Sequence, residues 1–368
     1  MIVFGIVILL IYGALVFYIG WSGWGFMKSW VKDELSWKVR ILYIITLTIV
    51  STSFILGRFF ENTLLHIIGS LWMAFFYLLL VLLPLVHVSV WLLRFTRLSK
   101  HHIDRWSSVV TIGLTFGLVG YGLFNAYSPI INTYELHVEK NGQSAESLHI
   151  VMASDLHFGV LSNRRHAERM VEEMNALQPD VVVFPGDIVD DDINPFENQK
   201  IAEVLAELEA PLGVYMSLGN HDKHNGPIEE LIGALEKGNL KVLYDEVVPL
   251  KEDVVLIGRR DRTNRGRLEL SALTSDIDRR KTVILLEHQP YDLDIARDHG
   301  VDIMLSGHTH LGQIFPGSLI TRRIYENDWG YWKLDSLNSV VSMGYGFWGP
   351  PIRLGTRSEI VQIFVTIE

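Results

Sequence analysis

Aspartate, histidine and asparagine recur in the C-terminal two thirds of the chain, each time just after a short apolar run. Leu148–Ala153 leads into Asp155 and His157, and Val181–Phe184 into Pro185-Gly186-Asp187. Gly213–Leu218 leads into Gly219-Asn220-His221-Asp222. Thr282–Leu286 leads into Glu287 and His288, and Asp302–Leu305 into Gly307-His308-Thr309-His310. One such residue alone is more simply a turn cap or a surface histidine. Five in series mean more, because open α/β sheets bind ligands at the carboxyl ends of their strands. Carboxylate, imidazole and amide oxygen together suit Mn, Fe or Zn. The glycines before Asp187, Asn220 and His308 let the chain turn sharply out of each strand. The 368 residues include no cysteine, so disulfides, thiolate catalysis and cysteine-ligated zinc are excluded.

The elements that must position these residues alternate between strand and helix. Besides the five runs, Val254–Ile257, Ser339–Met343 and Ile360–Ile367 read as strands, Glu135–Val138 as a short strand and Asn141–Ser147 as a polar turn. Arg164–Leu177 has helical spacing, with Met170, Met174 and Leu177 on one face; Ile201–Leu208 and Ile228–Glu236 read as helices too. This is an α/β layout, a substantial sheet covered by helices.

The N-terminal part differs. Four segments carry no charged residue: Met1–Met27, Ile41–Gly57, Asn62–Leu93 and Trp106–Tyr134. About 20 apolar residues cross a bilayer, so residues 1–134 read as a transmembrane anchor of about four helices, near 2–20, 41–57, 64–93 and 107–127, and residues 135–368 as the catalytic domain. Lys28, Lys32, Lys38 and Arg40 lie in the first connector, and Arg94, Arg97, Lys100 and Arg105 in the third; the second has only Arg58, offset by Glu61. The positive-inside rule makes the first and third connectors cytoplasmic, so the catalytic domain is expected outside the cytoplasm. No span holds Asp, Glu, Lys or Arg, which argues against an ion pathway and hence against a transporter; His66 and His87 read as packed residues. Residues 1–134 carry 9 basic and 4 acidic residues of the chain's 32 and 42, leaving 23 and 38, a net of −15, for 135–368. Nucleic acid is therefore not an expected partner.

Ser154-Asp155-Leu156-His157, Gly186-Asp187, Gly219-Asn220-His221-Asp222, His288 and Gly307-His308-Thr309-His310 stand in the order of the calcineurin-like metallophosphoesterases, which the chain resembles over 148–310 and, through Gly344-Tyr345-Gly346 and Arg353, towards its end. It is most similar to the bacterial membrane-associated branch. The resemblance implies a β-sandwich flanked by helices and a centre of two divalent metals, Mn, Fe or Zn. The first ion would take Asp155, His157, Asp187 and His310, and the second Asp187, Asn220, His288 and His308.

Such a pair can share a hydroxide that attacks phosphorus in line. The expected activity is hydrolysis of a phosphomonoester, phosphodiester or pyrophosphate on a small molecule or lipid. His221 is the candidate general acid, with Asp222 to orient it or hold it charged. Asp190, Asp191 and Asp192 read as a solvated acidic loop, Arg164 and Arg165 as a helix start with surface arginines, and His224 as a loop or pocket residue. Trp329, Tyr331, Trp332, Tyr345, Phe347 and Trp348 read as packing, with a wall for an apolar substrate as the sharper alternative. A rival from another class, a non-catalytic metal-binding receptor that keeps the fold, has the complete ligand set against it.

Overall fold

The computed structural model describes residues 2–31, 34–60, 62–140, 146–223 and 227–368. Lys32, Glu61, His224, residues 141–145 of the expected turn and the side chain of Arg58 lie outside the described residues. The chain divides into two compact units, Met1–Leu123 with Gly349–Pro351, and Phe124–Trp348 with Ile352–Glu368.

The first unit is built on four helices, α1 (Ile2–Trp30), α2 (Trp37–Phe59), α3 (Thr63–Leu93) and α4 (Lys100–Tyr127). Each has a stretch long and apolar enough to cross a membrane. The second stretch is longer than its charge-free run, spanning Trp37–Gly57. Ser36 caps α2, its hydroxyl accepting the Val39 N–H, so the turn containing Lys38 and Arg40 joins the helix. Pro84 lies within α3, which continues to Leu93. His87 sits 2.9 Å from the Tyr18 hydroxyl and edge-on to Trp21, as a packed histidine would. The last charge-free run is two elements: α4 ends at Tyr127 and strand begins at Ile130.

The second unit contains twelve strands in two sheets. The strands are β1 (Ile130–Val138), β2 (Glu146–Met152), β3 (Val181–Pro185), β4 (Val214–Ser217), β5 (Lys241–Val242), β6 (Glu246–Lys251), β7 (Val254–Gly258), β8 (Thr282–Leu286), β9 (Ile303–Ser306), β10 (Gly330–Leu334), β11 (Leu337–Val341) and β12 (Glu359–Ile367). One sheet runs β1-β12-β2-β3-β4-β5 and the other β10-β11-β9-β8-β7-β6. β2 to β5 are mutually parallel, as are β7, β8, β9 and β11; β12 is antiparallel to β2, and β6 and β10 are antiparallel edges.

The apolar runs are continuous because both sheet faces are covered. Leu148, Ile150, Met152, Val181 and Val183 face Leu256, Ile284, Leu286, Ile303 and Leu305 in a core between the sheets. The alternate residues Val151, Val182 and Phe184 pack outward against α5 (Arg164–Ala176), α6 (Asn194–Asn198), α7 (Ile201–Leu205) and α8 (Ile228–Glu236). On the second sheet, Ile257, Leu285 and Met304 pack against α9 (Leu270–Thr274) and α10 (Leu293–Asp298). The expected α/β sandwich flanked by helices is therefore found, and α11 (Gly317–Ile324) follows β9. The edges β6 and β10 were not expected as strands because Pro249 breaks the apolar run of β6 and β10 is largely exposed. The helix expected over 201–208 stops at Leu205.

Candidate metal centre

Each of the five apolar runs forms a strand, and the residues that follow them meet where the two sheets end. Asp155, His157, Asp187 and Asn220 come from β2, β3 and β4 of one sheet; His288, His308 and His310 come from β8 and β9 of the other. Asp155, His157 and His310 form one donor group, and Asp187, His288 and His308 a second. In the first, His157 Nε2 is 3.2 Å from His310 Nε2, which is 3.3 Å from Asp155 Oδ1. In the second, His288 Nε2 is 3.1 Å from Asp187 Oδ2 and 3.2 Å from Asn220 Oδ1. Asp187 Oδ2 is also 3.8 Å from His157 Nε2, so one carboxylate reaches both groups.

The local backbone is forced into this arrangement. Asp155, His157, Asp187, His308 and His310 all have φ between 44° and 70°. That left-handed conformation costs non-glycine residues roughly 1–3 kcal/mol each and persists only where the surroundings over-determine it. The approach is so close that a Cβ on Gly219 would stand 2.2 Å from Asp187 Oδ1, and one on Gly307 2.2 Å from Asp155 Oδ2. The segment after β11 closes the back. Tyr345 N–H donates to Ser154 O and Gly346 N–H to Asp155 O, both at 2.9 Å. Arg353, fully buried, donates to Gly344 O and Gly346 O and places Nη2 3.2 Å from His310 Nδ1.

The electrostatics ask for cations. Burial works to lower the His288 pKa, but the charge and hydrogen bond of Asp187, with Asp155 behind it, push it up to about 10. His308 is held down to about 4 by burial and the His288 charge, and His310 is lowered by burial, His157 and Arg353. Burial raises Asp155. Imidazoles and carboxylates thus converge in a buried place that favours positive charge at His288 beside Asp187, a donor set that divalent ions fit.

His221 lies beside the donor groups. Its N–H donates to Asp187 Oδ1 at 2.7 Å, and its ring is 5.1 Å from that of His157. The carboxylate its Nδ1 meets is Asp191, at 2.9 Å, rather than Asp222. Lys223 Nζ also donates to Asp191, at 2.8 Å. Burial works against ionisation of Asp191, but these two partners hold it well below the usual carboxylate range. Asp222 is buried and accepts the N–H groups of Asp187, Ile188, Val189 and Gly219 at 2.7–2.9 Å.

The acidic loop is therefore not wholly solvated, because two of its carboxylates face histidines. Asp190 Oδ1 is 3.4 Å from His157 Nδ1, and only Asp192 caps its own turn, through Asn194 N–H. The signal available in the sequence was position: Asp190 and Asp191 follow Asp187 by three and four residues on one loop. Arg164 pairs with Glu168 and the carbonyls of Gln199 and Lys200, as a surface arginine would. Of the aromatic segment, Tyr345 and Phe347 are core, whereas Trp348 is 54% exposed and 5.9 Å from the His221 ring.

A two-sheet sandwich with histidines and carboxylates grouped at the strand ends of both sheets is an arrangement that can hold divalent metal. Residues 148–312 match the family of calcineurin-like phosphoesterases. An uncharacterized metallophosphoesterase of Aquifex aeolicus is 34% identical over 257 residues, 66% of this chain and 96% of that protein. A transmembrane protein with metallophosphoesterase domain from Danio rerio is 30% identical over 272 residues, 70% of this chain; the alignment covers 62% of that protein's length. A solved dimetal phosphatase from Danio rerio aligns at 14% identity and TM-score 0.36 over 54% of this chain and 87% of that one, too distant to carry an argument. The chain belongs to the calcineurin-like metallophosphoesterases, hydrolases of phosphoester bonds that work with two divalent metals. Bacterial and animal proteins alike are among its relatives, so the resemblance extends beyond a bacterial branch.

Proposed function

We propose that this chain is a membrane-anchored phosphohydrolase that cleaves a phosphomonoester, phosphodiester or pyrophosphate on a small molecule or lipid. The observation that carries it is the pair of donor groups sharing Asp187, with the His221–Asp191 pair alongside. One ion would be held by Asp155, His157, Asp187 and His310, and the other by Asp187, Asn220, His288 and His308. When bound, two such ions neutralise phosphoryl oxygens and lower the pKa of water.

The chain's own residues do the rest. Asp191 accepts the Nδ1–H of His221 and fixes the ring, leaving Nε2 to carry the proton that is given up. As the bond from phosphorus to the leaving oxygen breaks, that oxygen takes the Nε2 proton, and water supplies the oxygen that ends on phosphorus. Asp222 serves the geometry, holding the Asp187 and Gly219 backbones together. Arg353 stands behind His310 and fixes its plane.

The test is His221→Ala in the purified full chain, loaded with Mn²⁺ and assayed on aryl phosphates with good and poor leaving groups. The expected loss is about 10²- to 10⁴-fold on the poor leaving group and much smaller on the good one. Equal losses on both would remove proton donation from the proposal. Metal content near two ions per chain with no turnover on any phosphoester, pyrophosphate or phospholipid would remove the enzymatic reading itself.

The spans at Val3–Trp30, Trp37–Gly57, Thr63–Leu93 and Lys100–Tyr127 would anchor residues 1–134, with 135–368 as the catalytic domain outside the cytoplasm. Protease added to intact cells or spheroplasts should then cut the catalytic domain; cleavage only in inverted vesicles would reverse the orientation.

A further inference from the structure

Helix α11 buries none of its residues. Leu319, Ile320 and Ile324 are 58%, 61% and 53% exposed. Ile320 and Ile324 are one turn apart with Leu319 beside them, which makes an apolar ridge. Arg322 and Arg323 fall in the last turn of the same helix. A helix this short is marginal in water without a packed face, and among the described residues nothing buries any of its side chains. Its charge is also out of character, because residues 135–368 carry 38 acidic against 23 basic residues. Exposed apolar residues together with arginines, Arg323 standing one turn on from Leu319, are the composition of a helix lying at a lipid surface. The same chain carries four helices long and apolar enough to cross a membrane, so such a surface is within its reach.

The helix is also tied to the metal loop. A Cβ on Gly312, two residues after His310, would stand 2.1 Å from the backbone of Gly317 at the start of α11. Thr309, between the two ligand histidines, donates to Asp328 O at 2.6 Å, and Thr321 of α11 donates to the Asp328 carboxylate at 2.7 Å.

We propose that α11 docks on an anionic bilayer, with Leu319, Ile320 and Ile324 entering the boundary between headgroups and acyl chains and Arg322 and Arg323 meeting lipid phosphates. The docked helix would tether the loop bearing His308 and His310 to the lipid surface.

The absence of cysteine makes the test direct, since Ile320→Cys gives a single attachment point for a nitroxide. The labelled full chain is reconstituted in nanodiscs of phosphatidylcholine with phosphatidylglycerol. The expected result is a ratio of oxygen to water-soluble nickel-chelate accessibility several-fold above that of a label at Glu229→Cys on α8. Adding Arg322→Glu and Arg323→Glu, or removing phosphatidylglycerol, should bring the ratio down towards the α8 value. A label at 320 that is as open to the nickel chelate as one at 229 would overturn the proposal. So would shielding from both reagents, which means a protein partner or a second copy covers the helix. A ratio indifferent to both arginines would overturn the recognition of anionic lipid.

Discussion

Asp191 and Asp222 are both within reach of the loop that carries His221, yet they do different things. Asp191 takes the ring of His221, and Asp222 takes four backbone amides. Asp191→Asn should leave folding and metal content intact while slowing turnover about 10- to 100-fold, more on poor leaving groups than on good ones, because the acid loses its orientation. A uniform slowdown on all leaving groups, measured in parallel with metal content, would argue that Asp191 has no part in proton transfer. At this scale the sequence was highly readable for the residues that cluster. Asp155, His157, Asp187, Asn220, His288, His308 and His310 each come after an apolar run, so strand ends gather them at the edge of each of the two sheets. The partner of His221 was not readable in this way. Asp190, Asp191 and Asp192 are the same residue type in succession, and only the left-handed turn at Asp191, with φ of 59°, selects which one faces the histidine.

At the scale of elements, Asp222 joins the ends of β3 and β4. Asp222→Asn keeps one acceptor oxygen but turns an amide N–H towards backbone N–H groups. The expected cost is about 3 kcal/mol, with loss of metal and a slowdown independent of the leaving group. Thermal unfolding with metal analysis reads both; unchanged metal content with a leaving-group-dependent slowdown would return a chemical role to Asp222. Helix α5 offers a pH-dependent case. His166 is buried against Tyr345 with its Nε2 lacking a hydrogen-bond partner, and burial, with the charges of Arg169 and Arg353, holds its pKa down to about 3. The unfolded ring, near 6.5, takes up a proton as the pH falls, while the folded ring does not until about 3. Its contribution to stability is therefore lost between those values, by up to about 4 kcal/mol at the acid end. The stability of His166→Gln should fall less steeply than that of the parent from pH 6.5 to 4; parallel curves would show that His166 does not titrate in this way. The central parallel strands were readable because they are apolar throughout. The edges β6 and β10, and the amphipathic α11, were not, because Pro249 breaks the apolar run of β6 and polar or charged residues interrupt the other two.

For the whole molecule, the opposed charges of the two parts and the four apolar helices were legible from composition alone. The way the two sheets share one metal site was not, because it depends on how they pack. That shared site links metal to stability. Five residues of the donor groups hold strained backbone, and Asp155 and Asp187 are buried beside each other's charge. Chelation should lower the unfolding midpoint, with a loss near 2.7 kcal/mol where the free metal had stood about 100-fold above its Kd. Re-adding Mn²⁺ should restore it; an unchanged midpoint after complete metal removal would show that the fold holds the strain without ions.

The place of β12 has a consequence for biosynthesis. It lies between β1 and β2, bonded to both, although it follows every ligand residue in the chain. A nascent polypeptide that has just emerged past His310 would hold all the donor residues and still lack the strand that joins β1 to the sheet. Metal capture should therefore wait until translation has passed Ile367, and a ribosome stalled before Glu359 should display a chain that takes up no metal.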